Sequence, residues 1–67
     1  RARVTQVING LFPLFLNDAS LLPAEWAEDI ARATTETELA RIVADYVAGM
    51  TDRYAIKEHQ RLFAVDV

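Results

Sequence analysis

The stretch DYVAGMTDRYA, residues 45–55, decides how the last part of this chain folds. It lies in the strongest helical pattern of the sequence, yet Gly49 and the polar run at residues 51–53 interrupt that pattern. Apolar residues occur at helical spacing on both sides of the interruption: Leu39, Ile42, Val43, Tyr46, Val47 and Met50 before it, and Ala55, Ile56, Leu62 and Phe63 after it. The helix therefore either continues through Gly49 or ends there and restarts after Thr51.

A capping signal marks the start of this helical region. Thr35 and Glu38 have the T-x-x-E spacing of a capping box, in which each side chain accepts a hydrogen bond from the backbone N–H of the other residue. The spacing predicts that Thr35 caps a third helix.

A first helix is predicted over residues 2–16, because apolar side chains recur there at three- and four-residue spacing: Val4, Val7, Ile8, Leu11, Phe12 and Phe15. Pro13 predicts a kink near Asn9 and Gly10, or a break there, since a proline inside a helix removes one backbone hydrogen bond and clashes one turn back.

A short second helix is predicted to start with Pro23 at its first position, where the missing N–H of proline costs nothing. Trp26 and Ile30 form its apolar face, and it fades at Ala33 and Thr34. The aromatic residues of the three segments are expected in the core: Phe12, Phe15, Trp26, Tyr46 and Phe63.

The predicted fold class is all-α, with three to four helices in a small bundle or hairpin that forms a single domain over residues 1–67. A hydrophobic content of 52% in 67 residues without cysteine predicts apolar surface that another surface covers. We therefore expect self-association or marginal stability in isolation. The chain begins Arg-Ala-Arg without Met, which indicates a piece of a longer protein. No apolar run approaches the roughly 20 residues of a membrane span.

Candidate chemistry in the chain is sparse. His59 is the single histidine and is expected at the surface, and no metal-ligand spacing or glycine-rich phosphate loop occurs. Arg53, Lys57 and Arg61 form a basic stripe at i, i+4 and i+8 that either faces solvent, pairs with acids or contacts phosphate. We expect no catalytic, cofactor-binding or metal-binding residue in this segment.

Residues 45–63, DYVAGMTDRYAIKEHQRLF, resemble the C-terminal helical segment of the bacterial dGTPase-like deoxynucleoside triphosphate triphosphohydrolases of the His–Asp phosphohydrolase superfamily. Residues 7–26, VINGLFPLFLNDASLLPAEW, are similar to the apolar helix, short turn and Leu-Pro-x-x-Trp helix start of that family. The resemblance covers nearly the whole chain, in order, and identifies it with the family's phosphohydrolase-associated C-terminal domain.

The resemblance implies an accessory domain of a larger helical, cytoplasmic and oligomeric enzyme that hydrolyses a dNTP, such as dGTP, to the deoxynucleoside and tripolyphosphate. Its divalent metal, Mn or Mg, is held by a His … His-Asp … Asp set, none of which matches a position here. The partners implied are the catalytic domain of the same chain and further copies of the enzyme. The alternative is an independent helical module that binds protein or DNA, although six acids and one Arg in residues 18–38 argue against nucleic acid.

Within this resemblance the opening stretch has two interpretations. Gly49 leaves room for another helix to pass, and Asp52, Arg53 and Tyr54 make contacts to the rest of the enzyme. The other interpretation, which is compatible with the first, is that Thr51 caps a new helix and Asp52 favours its N-terminal end.

Overall fold

The computed structural model describes residues 2–63, with side chains from residue 5 onward, and this part of the chain is helical without strands. Four α-helices follow one another: α1 over Ala2–Asn17, α2 over Ala27–Arg32, α3 over Glu36–Ala48 and α4 over Asp52–Phe63. Two 3-10 turns, Ala19–Leu21 and Ala24–Trp26, connect α1 to α2. The predicted all-α fold is therefore confirmed.

The helix α1 is continuous through Gly10 and Pro13, so the predicted break does not occur. Leu11 and Phe15, which flank Pro13, are both completely buried. Burying such a side chain is worth about 1.5–3 kcal/mol, so the pair offsets the roughly 3 kcal/mol that a proline inside a helix costs. A kink near Asn9 stays a prediction, and the side chain of Val4 lies outside the described residues.

Pro23 does not occupy the first position of a helix as predicted. Its backbone is extended, with ψ of 154°, and it caps the 3-10 turn Ala24–Trp26. Its carbonyl accepts a hydrogen bond from the Trp26 N–H at 2.9 Å, which closes this turn before α2 starts at Ala27. The predicted end of the second helix is confirmed, since α2 stops at Arg32 and Ala33 caps it.

The cap of α3 is confirmed in its first half. The Thr35 hydroxyl accepts a hydrogen bond from the Glu38 N–H at 3.1 Å. Glu38, however, reaches one residue further than the capping box predicts, because its carboxylate accepts from the Thr34 N–H at 2.7 Å and from the Thr34 hydroxyl at 3.0 Å. Hydrogen bonds from the Thr34 backbone and then its side chain, with a smaller one from the Thr35 backbone, lower the pKa of Glu38.

The core forms where α1 crosses both α3 and α4. Six buried residues make up its centre: Leu11, Phe15, Leu22, Val43, Tyr46 and Val47. Trp26 and Phe12 are only partly buried and pack against this centre. Phe63 is 40% exposed, so the expectation that it lies in the core is wrong.

Candidate docking surface at the turn between α3 and α4

The interrupted stretch forms a turn between two separate helices. Gly49 caps the end of α3, and its N–H bonds to the carbonyls of Tyr46 and Val47. The Thr51 hydroxyl then accepts from the Tyr54 N–H at 3.1 Å, and the Thr51 carbonyl accepts from the Ala55 N–H at 2.9 Å. The helix therefore ends and restarts, with Thr51 as the cap of α4 and Asp52 in its first turn, where the helix dipole favours an acid.

The four residues predicted to contact another domain share this turn. Gly49, Asp52 and Arg53 are exposed, and Tyr54 is 43% exposed. The turn thus exposes an acid, a base and an aromatic ring, and we call these four residues the turn surface.

Gly49 does not mark a close helix approach among the described residues. A β carbon placed there would meet only the Asp45 and Tyr46 carbonyls of its own helix, each at an ordinary 3.7 Å. The glycine that faces a neighbouring helix is Gly10, where a β carbon would lie 3.5 Å from the Nε2 atom of His59 in α4. Within residues 2–63, Gly10 is thus the glycine that lies against a neighbouring helix, and room at Gly49 for a helix of another domain stays a prediction.

His59 is also not a plain surface residue. It is half-buried, it packs over Gly10, and its ring lies 4.4 Å from the ring of Phe63. Within residues 2–63, no three His, Cys, Asp or Glu side chains lie together in a way that could hold a metal ion.

An aromatic cluster joins the core to the turn surface. The Tyr46 ring meets the edges or faces of three other rings at near-perpendicular angles: Phe15 and Trp26 at 5.5 Å each, and Tyr54 at 6.4 Å. Edge-to-face pairs of this kind stabilise by about 0.5–1.5 kcal/mol beyond the area that they bury. Tyr46 therefore fixes the position of Tyr54, which lies on the turn surface.

A polar network that the sequence analysis did not predict lies beneath this cluster. Glu58 is only 7% exposed, and its carboxylate accepts a hydrogen bond from the Tyr46 hydroxyl at 3.1 Å. Arg61 donates two further bonds to the same carboxylate, from Nε and Nη2, each at 2.9 Å. Since Tyr46 donates its one hydroxyl hydrogen to Glu58, the Tyr54 hydroxyl is the donor in the 3.0 Å bond between the tyrosines.

The network perturbs the acid–base behaviour of its members. The hydrogen bonds from Arg61, and then that from Tyr46, lower the pKa of Glu58 despite its burial. Burial, followed by hydrogen bonds to Tyr54 and Glu58, raises the pKa of Tyr46 well above its ordinary value. The pKa of Arg61 is raised by its bond to Glu58. Glu58 is thus a buried, ionised and fully paired carboxylate.

The predicted basic stripe is divided by this network. Arg61 pairs with Glu58, whereas Arg53 and Lys57 are exposed. Of the three interpretations given to the stripe, pairing with an acid is the one that the structure bears out for Arg61.

The four helices and their buried centre define a small all-α domain with its own core. More particularly, this chain belongs to the phosphohydrolase-associated domain family, whose model matches residues 1–61.

Relatives of this chain carry a common name. It is 64% identical, over 92% of its length, to a "Deoxyguanosinetriphosphate triphosphohydrolase-like protein" of Cereibacter sphaeroides (strain ATCC 17025 / ATH 2.4.3). It is 60% identical over the same share to that of Paracoccus denitrificans, and 45% identical over its whole length to that of Caulobacter sp. (strain K31). The chain spans only 16–17% of these relatives. No solved structure matches it.

None of the helices within residues 2–63 is long and apolar enough to cross a bilayer.

Proposed function

We propose that this chain is the C-terminal accessory domain of a dNTP triphosphohydrolase, an enzyme that uses water to split a dNTP such as dGTP into the deoxynucleoside and tripolyphosphate. The observation that carries the proposal is the similarity of 92% of the chain, at up to 64% identity, to relatives named for that activity. In this proposal the enzyme belongs to the His–Asp superfamily and works in the cytoplasm. Its divalent metal, Mn or Mg, is bound by the catalytic domain.

The first test is the reaction itself. The full-length protein is incubated with dGTP and other dNTPs in the presence of manganese, and tripolyphosphate is measured. The 67-residue chain is assayed in parallel, with calorimetry for manganese. We expect the full-length protein to release tripolyphosphate and the isolated chain to release none. The accessory role is overturned if the isolated chain, after repurification, still shows turnover or binds manganese with micromolar affinity.

We further propose that the turn surface attaches this domain to the catalytic domain. Supporting observations are that Gly49, Asp52, Arg53 and Tyr54 are all exposed and that hydrogen bonds close both helix ends at the turn. A backbone that is already hydrogen-bonded in its folded conformation has less freedom to lose on binding. Arg and Tyr are also enriched among residues that dominate interface energies.

A pair of substitutions tests this attachment. Asp52→Ala with Arg53→Ala in the full-length protein is compared with Glu28→Ala and Arg41→Ala, which remove one exposed acid and one exposed base elsewhere. The turn variant is expected to melt earlier or assemble less well while its manganese affinity is kept. Collapse of metal affinity with normal melting and assembly would instead place Asp52 in the active site.

We propose a homo-oligomer as the assembled form. Tyr54 and Phe63 support this, because they are large hydrophobic residues that are 43% and 40% exposed. Sedimentation equilibrium of the full-length protein tests the state directly, and a monomer at micromolar concentration contradicts it.

A further inference from the structure

An open cleft of about 430 Å³ lies beside the turn surface, and its lining combines aromatic rings with carboxylates. Trp26, Tyr46 and Tyr54 contribute rings, and Glu25 and Asp45 contribute charge. The volume falls in the range of roughly 300–1,000 Å³ that is typical of ligand pockets. One long side chain with the backbone that carries it fits a space of this size.

The charge of the lining selects a cationic occupant. Two carboxylates, those of Glu25 and Asp45, line the cleft, and no Lys or Arg lines it. Within residues 2–63, the carboxylates of Glu25 and Asp45 form neither an ion pair nor a hydrogen bond. A phosphate group would therefore be repelled, and a cation would find two carboxylates that are available to pair with it.

The aromatic rings favour arginine over lysine. A guanidinium group is planar, stacks on aromatic faces and forms two parallel hydrogen bonds with a carboxylate, whereas an ammonium group is a strongly hydrated point charge. The walls are already in place, since Tyr46 holds Tyr54 through a 3.0 Å hydroxyl bond and contacts Trp26 edge-on at 5.5 Å. Binding would order few additional side chains.

We propose that this cleft receives an arginine side chain from the catalytic part of the same polypeptide. The inference rests on the proposed function, in which this chain is one domain of a longer protein. The chain spans 16% of its C. sphaeroides relative, so most of that polypeptide lies outside the matched segment. A covalently linked partner is present at a high effective concentration, which favours it over a separate protein with the same chemistry.

Neutralising the cleft tests its charge. Glu25→Gln with Asp45→Asn in the full-length protein keeps the shape of both side chains, and Glu28→Gln with Glu36→Gln is the matched control at exposed acids outside the cleft. The readout is hydrogen exchange at the backbone N–H groups of Gly49 and Met50, which are hydrogen-bonded in the turn.

We expect the cleft variant to exchange on the order of tenfold faster at these amides than the unsubstituted protein, and the control to be unchanged. Tenfold corresponds to about 1.4 kcal/mol, which lies below the range for truncating a buried interfacial charge pair. Equal exchange in the cleft variant and the unsubstituted protein overturns the proposal.

A photo-crosslinker identifies the occupant. Gly49→p-benzoylphenylalanine is suitable, because Gly49 lines the cleft, has φ of −85° and offers only ordinary contacts to an added β carbon. Mass spectrometry of crosslinks in mixed ¹⁴N and ¹⁵N protein distinguishes contacts within one chain from those between copies. The expected product joins position 49 to an arginine-containing peptide of the same chain, and changing that arginine to glutamine reproduces the faster exchange.

A crosslink to a second copy, to a separate protein or to a peptide without arginine overturns the proposal, as does the absence of a crosslink. Tripolyphosphate release by the unsubstituted protein reports separately on the proposed function. Hydrolysis without the arginine crosslink refutes only the proposal that the cleft binds arginine. The crosslink without hydrolysis refutes the proposed enzyme activity and still supports the contact between the domains.

Discussion

Replacing Tyr46 by phenylalanine removes one oxygen atom from the buried network and keeps the ring that contacts Phe15, Trp26 and Tyr54. The lost hydroxyl is the donor to the Glu58 carboxylate at 3.1 Å and the acceptor for Tyr54 at 3.0 Å. A hydrogen bond to a charged group contributes about 1.5–3 kcal/mol. Because Glu58 keeps both of its bonds from Arg61, we expect a destabilisation near the lower end of this range.

The matched control is Tyr54→Phe, which removes the same atom from a residue that is 43% exposed. Its hydroxyl bonds to Tyr46, a neutral partner, and water can replace that bond. A neutral bond contributes about 0.5–1.5 kcal/mol, so the control should cost less than Tyr46→Phe. A double-mutant cycle of Tyr46→Phe with Glu58→Gln should show a coupling of at least about 0.5 kcal/mol, as expected for two residues in one network.

Urea unfolding of the 67-residue chain provides the assay, and Trp26, its single tryptophan, provides the fluorescence signal. Its ring lies 5.5 Å from Tyr46, so the signal reports directly on this part of the core. An excluded osmolyte such as trimethylamine N-oxide strengthens burial and populates the folded baseline. Equal losses for Tyr46→Phe and Tyr54→Phe, together with zero coupling to Glu58, would refute the network as a source of stability.

Three further predictions follow from the same geometry. Thr35→Ala should lower the unfolding free energy by about 1 kcal/mol through loss of the cap, and an unchanged melting temperature contradicts this. Gly10→Ala should stabilise by up to about 1 kcal/mol, because an added β carbon has room at 3.5 Å from His59 and glycine is unfavourable inside a helix; a lower melting temperature would show that the helices cannot make that contact. The lowered pKa of Glu58 stabilises the fold above the ordinary glutamate pKa of about 4.3, and this stability is lost as pH falls through the pKa of the folded state. The unfolding free energy of Glu58→Gln should therefore fall less with decreasing pH than that of the unsubstituted chain.

Features that depend on sequence-local interactions were predicted well. The Thr35 cap depends on residues three positions apart, and the apolar stripe of α3 depends on a 3.6-residue period. The cap at Thr51 was one of two stated alternatives, because its hydroxyl and the Tyr54 N–H are also three residues apart. In these cases the stabilising interactions join residues that are close in sequence, so the sequence pattern alone predicts the structure.

Features that depend on helix crossings were missed. The bond between Tyr46 and Glu58 joins residues twelve positions apart on two helices, and the turn between α3 and α4 decides whether they meet. A local signal did exist, because Glu58 and Arg61 have i,i+3 spacing and Tyr54 lies one turn before Glu58. The contact between Gly10 and His59 similarly requires the path of α4 across α1, which no periodicity specifies.

Misjudged positions have a related cause. Pro13 destabilises the helix locally, and burial of Leu11 and Phe15 offsets this cost in free energy. Phe63 fits the apolar period of α4, yet it lies at the end of the helix and stays 40% exposed. Period alone predicts which face of a helix a residue lies on, and the extent of the neighbouring helices decides whether that face is covered.

Tyr46 connects the folding of this domain to the surface that we propose for docking. Its ring is part of the core with Phe15, and its hydroxyl bonds to both Glu58 and Tyr54. A partner seated against Tyr54 and Trp26 would hold the two rings that pack on Tyr46, and a partner that binds only the folded form stabilises it. Attachment and folding are therefore coupled through one residue, and a loss at Tyr46 should weaken both, whereas a loss at the exposed Arg53 should weaken attachment alone.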